Sequence, residues 1–187
     1  MSATLRGHIL VATSRLKDPN FFKAAVLLVE HNDEGAMGLV INRPSSVSVQ
    51  SALAGHFELD DDTGTVYLGG PVETSALFIL HNSQELDPEE TPIIRDLFIG
   101  SCSDVFESVI RGSLVDDLIR FRIFSGCAGW SAGQLEEELA RGDWFVVRAT
   151  LENVFADNPY AVWEELIEHV HRANRLLPNH PDNPEWN

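Results

Sequence analysis

The sequence predicts an α+β domain whose sheet is largely antiparallel. Three observations predict it. Most segments with strand character are joined by short, turn-rich connections. Helical periodicity interrupts them irregularly, without the regular strand–helix alternation that builds a parallel sheet. The chain has 187 residues and is 44% hydrophobic, which suits one domain with a sizeable core.

The elements follow in chain order. His8 to Ala12 reads as the first strand. Asp18-Pro19-Asn20 is turn chemistry, because proline presets φ and Asp and Asn side chains bond nearby backbone. Ala24 to Glu30 and Met37 to Asn42 are strands joined by a Gly-containing loop, His31 to Gly35, and so form a hairpin. Arg43-Pro44 ends the second of them, since proline donates nothing to a ladder. Ser48 caps a short helix through Leu53. Val66 to Leu68 is a strand running into Gly69-Gly70-Pro71, and Ala76 to His81 is the next. Ile93 to Ile99 has weaker strand character. Ser103 caps a helix from Asp104 to Arg111, stopped by Gly112. Leu118 to Phe124 alternates apolar and basic residues, as a half-exposed strand does. Gly126 to Gly133 reads as a Gly-rich loop. Gln134 to Ala140 is a helix ended by Gly142, and Trp144 to Thr150 is a strand. Tyr160 to Leu176 is the longest helix, with Val162, Trp163, Leu166, Ile167 and Val170 on one face. These elements define one domain over residues 1–177. Residues 178–187 form a polar tail with three prolines.

Charge narrows the partners. Thirteen basic residues face 29 acidic ones, for a net charge of -16. Only Lys17 and Lys23 are lysines, and the arginines form no stripe. Nucleic acid is bound through basic patches that displace counterions, so direct nucleic-acid binding is not expected. Anionic membrane surfaces are disfavoured for the same reason. The longest clean apolar run, Ala24 to Val29, is too short to span a bilayer, and Met1 to Leu10 lacks the apolar core of a signal peptide. Cys102 and Cys127 have no metal-ligand spacing. Two thiols in a domain of this size suit a cytoplasmic location.

One pentapeptide invites a catalytic reading. Gly129-Trp130-Ser131-Ala132-Gly133 matches the G-x-S-x-G elbow, which exposes a nucleophilic serine on a strained strand-to-helix turn. Asp157 and His169 follow in hydrolase order. The expected sheet is not parallel, however, and His169 lies within an amphipathic helix. No catalytic residue, metal or cofactor is therefore assigned.

The same segment reads better in a wider frame. Gly126-Cys127-Ala128-Gly129-Trp130-Ser131-Ala132-Gly133-Gln134-Leu135-Glu136 resembles the G-x-x-G-W-x-x-G-Q-L-E signature of the YqgE/AlgH family. Glu138-Leu139, Gly142 and Trp144 continue it. An earlier block runs from Asp18-Pro19 and Phe21 through Glu30-His31-Asn32 to Gly35-Ala36-Met37-Gly38-Leu39-Val40-Ile41-Asn42-Arg43-Pro44. A third is Leu68-Gly69-Gly70-Pro71-Val72, followed by Leu77-Phe78-Ile79-Leu80-His81. The family often carries glycine where Ser131 stands and an aromatic residue where Cys127 stands. The resemblance implies a β-barrel-like, mainly antiparallel sheet flanked by helices. It also brings a transcriptional-regulator label that rests on genetic association, with no activity, cofactor or catalytic residue attached.

Each block has a structural reading: glycines for close backbone approach, Trp130 and Trp144 anchoring the short helix, Gln134 satisfying backbone groups at its start. The polar residues at predicted strand ends, His31, Asn42, Arg43 and His81, are the candidate ligand or partner contacts. Two functions are expected from these observations. The first is a non-catalytic regulatory or protein-interaction domain. The alternative is a small-molecule binding protein or an unrecognised enzyme using those loop residues.

Overall fold

The computed structural model describes residues 4–56, 64–86 and 88–176. The acidic run Asp60 to Asp62 and the tail at 178–187 lie outside the described residues. The strands are β1 (His8–Ala12), β2 (Ala25–Asn32), β3 (Gly35–Val40), β4 (Pro44–Ser48), β5 (Thr65–Leu68), β6 (Val72–His81), β7 (Phe98–Gly100), β8 (Phe121–Ser131) and β9 (Trp144–Arg148). The helices are α1 (Val49–Ala52), α2 (Ser103–Ser113), α3 (Gln134–Arg141), α4 (Leu151–Val154) and α5 (Val162–Leu176).

All nine strands join one branched sheet. Its main path runs β4-β5-β8-β3-β2-β1-β9, and β6 pairs with both β8 and β7. Every pairing is antiparallel except that of β5 with β8. Among the described residues β4, β7 and β9 each pair on one side only, so the sheet is open. The barrel-like closure expected from the resemblance is not met.

The sheet is covered on both faces, and β1 shows why its sequence is a continuous apolar run. Successive strand side chains point to opposite faces. Ile9 and Val11 pack with Leu27, Ile41, Phe124 and the α4–α5 residues Val154, Phe155, Val162 and Leu166. Leu10 and Ala12 face the other way, toward Phe21, Val26, Leu28, Trp130, Leu135 and Trp144. A third cluster joins α1 and α2 to the sheet through Val49, Leu53, Ile79, Phe106, Ile110 and Ile123. Each fully buried aliphatic side chain contributes about 1.5–3 kcal/mol.

Several local expectations need correction. Gly126 to Gly133 is not a loop: β8 continues through Ser131. Glycine disfavours strands on its own, but here neighbouring backbones cross too closely for a side chain. Gly126 takes φ 71°, and a Cβ on it would lie 2.7 Å from the Gly70 carbonyl oxygen. The strand does end before Arg43-Pro44, at Val40, but an unexpected edge strand, β4, opens at Pro44, where an N–H is dispensable. Of Ile93 to Ile99 only Phe98 and Ile99 lie in a strand, β7. Helix α2 starts one residue earlier than expected, with Cys102 rather than Ser103 at the N-cap, and runs through Gly112. His31 and Asn32 belong to β2, so the hairpin turn is tight.

Candidate functional site

Asn42 and Arg43 follow β3 after Ile41, and both reach back to the loop that precedes β2. Asn42 is only 8% exposed. Its Oδ1 accepts the Ala25 N–H at 3.0 Å, and its Nδ2 donates to the Lys23 carbonyl at 2.9 Å. Arg43 donates from Nη2 to the Phe22 carbonyl at 2.9 Å and from Nη1 to the Asn20 carbonyl. Burial lowers the pKa of the Arg43 guanidinium, and Asp18 offsets part of that effect.

These bonds hold a strained loop. Lys23 sits at φ 51°, a left-handed conformation that costs a non-glycine residue roughly 1–2 kcal/mol. The turn sends Phe21 into the core, packed against Trp130 and Trp144. It sends the adjacent Phe22 outward, at 72% exposure.

Phe22 stands over an open cleft of about 390 Å³. Leu68 at the end of β5 and Tyr160 ahead of α5 line it as well, at 51% and 73% exposure. Pro44 and Trp163 also line it. Trp163 is fixed by donating Nε1–H to the Ala12 carbonyl at 2.9 Å. Lys23 Nζ lies 5.1 Å from the Trp163 ring centroid and 3.5 Å from Glu164 Oε1. Sequence reasoning found Asn42 and Arg43 but missed Phe22, Leu68 and Tyr160 around them. The Phe21-Phe22 pair beside turn residues was the available signal.

The two histidines lie elsewhere. His31 is on β2, with Nδ1 accepting the Leu5 N–H at 2.9 Å. That bond places the ring proton on Nε2, which donates to Glu136 Oε1 of α3 at 2.8 Å. His81 is fully buried at the end of β6, stacked on Phe98 with ring centroids 5.5 Å apart. The structure therefore brings Asn42 and Arg43 to one cleft and places His31 and His81 in separate packing environments. Among the described residues, no group of three or more His, Cys, Asp or Glu side chains is placed to hold a metal ion.

The Trp130 segment proves to be a helix anchor. Glu138 Oε2 accepts Nε1–H from both Trp130, at 2.9 Å, and Trp144, at 2.8 Å. Gln134 Nε2 donates to the other oxygen at 3.1 Å. Gln134 Oε1 in turn accepts the Ser131 N–H at 3.1 Å and its hydroxyl at 3.2 Å. Ser131 thus bonds to the helix that follows it, and no hydrogen bond links it to His169 or Asp157. Asp157 is exposed and pairs with Arg120 at 3.8 Å. Both cysteines are free thiols: Cys102 is exposed and Cys127 buried.

Arg120 and Arg122 have a role that their alternation in sequence did not suggest. Arg122 donates to the carbonyls of Val154, at 2.6 Å, and Ala156, while Arg120 donates to that of Phe155. They satisfy the carbonyl end of α4, where cations also suit the helix dipole. Burial pushes the Arg122 guanidinium below its ordinary pKa, and Tyr67 offsets part of the shift.

Comparison with known proteins agrees with this architecture. A UPF0301 protein of Streptomyces avermitilis is 36% identical over 99% of this chain and 96% of its own length. A UPF0301 protein of Chlorobaculum tepidum is 32% identical over 97% of this chain and 95% of its own length. The solution structure of AlgH from Pseudomonas aeruginosa superposes with a TM-score of 0.70 at 34% identity, covering 92% of each chain. Protein DIP2367 of Corynebacterium diphtheriae, at 23% identity, shares the fold with a TM-score of 0.73 over 90% of this chain and 88% of that one. The AlgH-like family profile matches residues 9–174, and the chain belongs to that family.

Proposed function

We propose that this domain is a non-catalytic, cytoplasmic regulatory module that presents the Phe22–Leu68–Tyr160 cleft to a protein partner. One observation carries the reading. Asn42 and Arg43 are spent on backbone groups of a strained loop that exposes the ring of Phe22. Strain of this kind persists where surrounding structure over-determines it, and it clusters at functional surfaces. Exposed aromatic side chains beside an anchored Trp also match the composition of interface hot spots.

The test is a pair of substitutions, Phe22→Ala and Tyr160→Ala. Both residues are exposed, so each variant keeps its stability within about 0.5 kcal/mol. Affinity purification from the native cell should recover a specific partner with the wild-type domain and lose it with the double variant. Recovery unaffected by the substitutions would overturn the reading. Regulation proceeds without direct DNA contact, so a mobility-shift assay at low salt should show no complex.

A second reading has one observation in its favour. Asn42 and Arg43 line a cleft whose volume falls in the range used by small ligands. On that reading the domain is a small-molecule binding protein or an enzyme, with His31 and His81 contributing elsewhere. Thermal-shift screening against a metabolite panel distinguishes it: a hit abolished by Arg43→Ala but kept in Phe22→Ala supports the ligand over the partner. The domain itself is taken to span residues 1–177, and a chain ending there should keep the melting temperature of the full chain.

A further inference from the structure

We propose that the open edge of β9 takes an extended, acidic peptide segment of a partner protein, which adds a strand to the sheet and sets an apolar side chain into the cavity beside Phe145. This surface is separate from the Phe22 cleft and does not depend on it. The edge follows from the ladder. Strands β1 and β9 pair antiparallel in unbroken register, from His8 opposite Arg148 to Ala12 opposite Trp144. The flanking bonds run from the Thr13 N–H to the Asp143 carbonyl and from the Ala149 N–H to the Gly7 carbonyl. Hydrogen-bonded pairs recur at every second residue of an antiparallel ladder, so Phe145 and Val147 are the residues bonded to β1. Trp144, Val146 and Arg148 direct their N–H and C=O groups outward, and no hydrogen bond from another described residue reaches those groups. The other edges are poorer templates. Strand β7 has three residues, while β4 opens with Pro44 and pairs with β5 in a shifted register. A regular edge with free backbone groups is a template for a further strand.

The cavity sets what that strand carries. Residues opposite each other in an antiparallel pair point to the same face, so a side chain added opposite Phe145 points where Phe145 does. That face holds a cavity of about 550 Å³. Phe145, Trp163 and Ile167 give it an apolar wall, Arg15 and His171 give it polar groups, and no carboxylate lines it. Helix α5 meets the strand there, with the His171 ring 6.2 Å from that of Phe145. Arg15 donates Nη1–H to the Arg141 carbonyl at 3.3 Å and has no carboxylate partner among the described residues. Neither has Arg148, exposed at the far end of the edge. The nearby carboxylates are engaged: Asp143 by Arg141 at 2.6 Å, Glu164 by Lys23 at 3.5 Å and Glu168 by Arg172 at 3.7 Å. An acidic strand finds two guanidinium groups with no carboxylate beside them, and a basic one finds no counterpart. The net charge of -16 opposes an acidic ligand from a distance. At about 0.15 M salt, however, exposed charges beyond about 8 Å are largely screened, and the local groups decide.

The probe is a synthetic peptide of alternating valine and threonine with a central leucine flanked by glutamates. Two companions carry glutamines or lysines in place of the glutamates, and a third carries N-methyl groups on the amides of its pairing edge. Each is titrated calorimetrically, at about 0.15 M salt, into the full chain and its Arg15→Gln, Arg148→Gln and Phe22→Ala variants, with circular dichroism confirming that the variants are folded. The glutamate peptide should bind roughly tenfold more tightly than the glutamine peptide, and the lysine peptide weakest. Arg15→Gln and Arg148→Gln should each weaken the glutamate peptide about fivefold, while Phe22→Ala leaves it unchanged. N-methylation should abolish binding, because it removes the donors that pair with the edge. In hydrogen exchange the bound peptide should slow the Trp144, Val146 and Arg148 amides at least tenfold, and those of Phe145 and Val147, already bonded to β1, much less. Equal binding of the three charge versions, undiminished binding of the N-methyl peptide, loss on Phe22→Ala, or no binding at all would overturn the proposal. So would protection of the three outward amides without peptide that is lost on dilution or in a chain ending at residue 177, since a second copy or the chain's own C-terminal segment would then fill the edge.

Discussion

Glu138 is the side chain on which the Trp-containing signature turns, and its removal has a calculable cost. Its Oε2 receives both buried indole N–H groups, at 2.9 Å from Trp130 and 2.8 Å from Trp144. The two rings meet edge to face 6.1 Å apart and both pack on Phe21, so neither turns easily toward water. Glu138→Ala leaves two buried donors without this acceptor. Each orphaned donor costs about 1–3 kcal/mol, and Glu138 is only half-buried, so entering water recovers part of that. The expected loss is roughly 2–4 kcal/mol, or about 5–15 °C in Tm for a domain of this size. Glu138→Gln keeps one acceptor oxygen for the two indoles but gives up the charge-assisted strengthening and the oxygen that accepts from the exposed Gln134, for about 1–2 kcal/mol. The assay is urea unfolding followed by far-ultraviolet circular dichroism, which does not depend on the fluorescence of the very tryptophans being perturbed. A loss below about 1 kcal/mol for Glu138→Ala, or equal losses for the two variants, would refute the shared-acceptor account.

Other consequences are as direct. Asn42→Leu leaves the Ala25 N–H and Lys23 carbonyl without their side-chain partner and should cost about 2–4 kcal/mol in the same unfolding assay. Lys23→Gly relieves the left-handed backbone but frees the unfolded chain, so it should change stability by less than about 1 kcal/mol, where Lys23→Val should destabilise clearly. Burial, and then Glu73, push the Cys127 thiol pKa up, so a thiol reagent should label Cys102 in the native protein and Cys127 only after unfolding. The His31 hydrogen bond, and then a backbone one, lower the Glu136 carboxyl pKa. A carboxyl depressed on folding adds stability above the ordinary glutamate range and loses it as pH falls through the folded value. His31→Ala should therefore remove part of the acid-side slope of stability against pH and leave the neutral side parallel to wild type.

Much of the fold was legible because local chemistry and tertiary packing agreed. The β2–β3 hairpin, α3 with its left-handed Gly142 cap, and the apolar face of α5 all combine a clear period with the correct stop signal. The misses are long-range in origin. In β8 and β4 the sequence shows glycine, serine and proline, and local propensity reads such residues as loop. Around β8 the deciding quantity is approach distance: a Cβ on Gly35 would lie 2.2 Å from the Trp130 carbonyl oxygen, and one on Gly69 equally close to that of Gly126, whereas β4 is held by pairing with β5 and by the Thr65 hydroxyl on the Ser45 and Val47 carbonyls. No single-sequence period encodes which distant backbone passes overhead.

The same limit shaped the reading of the site. Asn42, Arg43 and His31 were singled out as polar residues at strand ends, and polar residues there serve either a ligand or the backbone. The sequence does not distinguish the two, because the deciding quantity is whether a carbonyl or N–H of another segment lies within about 3 Å. Here such partners exist: Phe22 and Lys23 carbonyls, the Ala25 N–H, the Leu5 N–H. These signature residues are thus mostly scaffold, which satisfies backbone groups and fixes the segment they bond. That segment ends in Phe22 and Lys23. A loop pinned by two side chains, strained at one residue and exposing an aromatic ring beside it is the feature on which the proposed partner-binding reading rests.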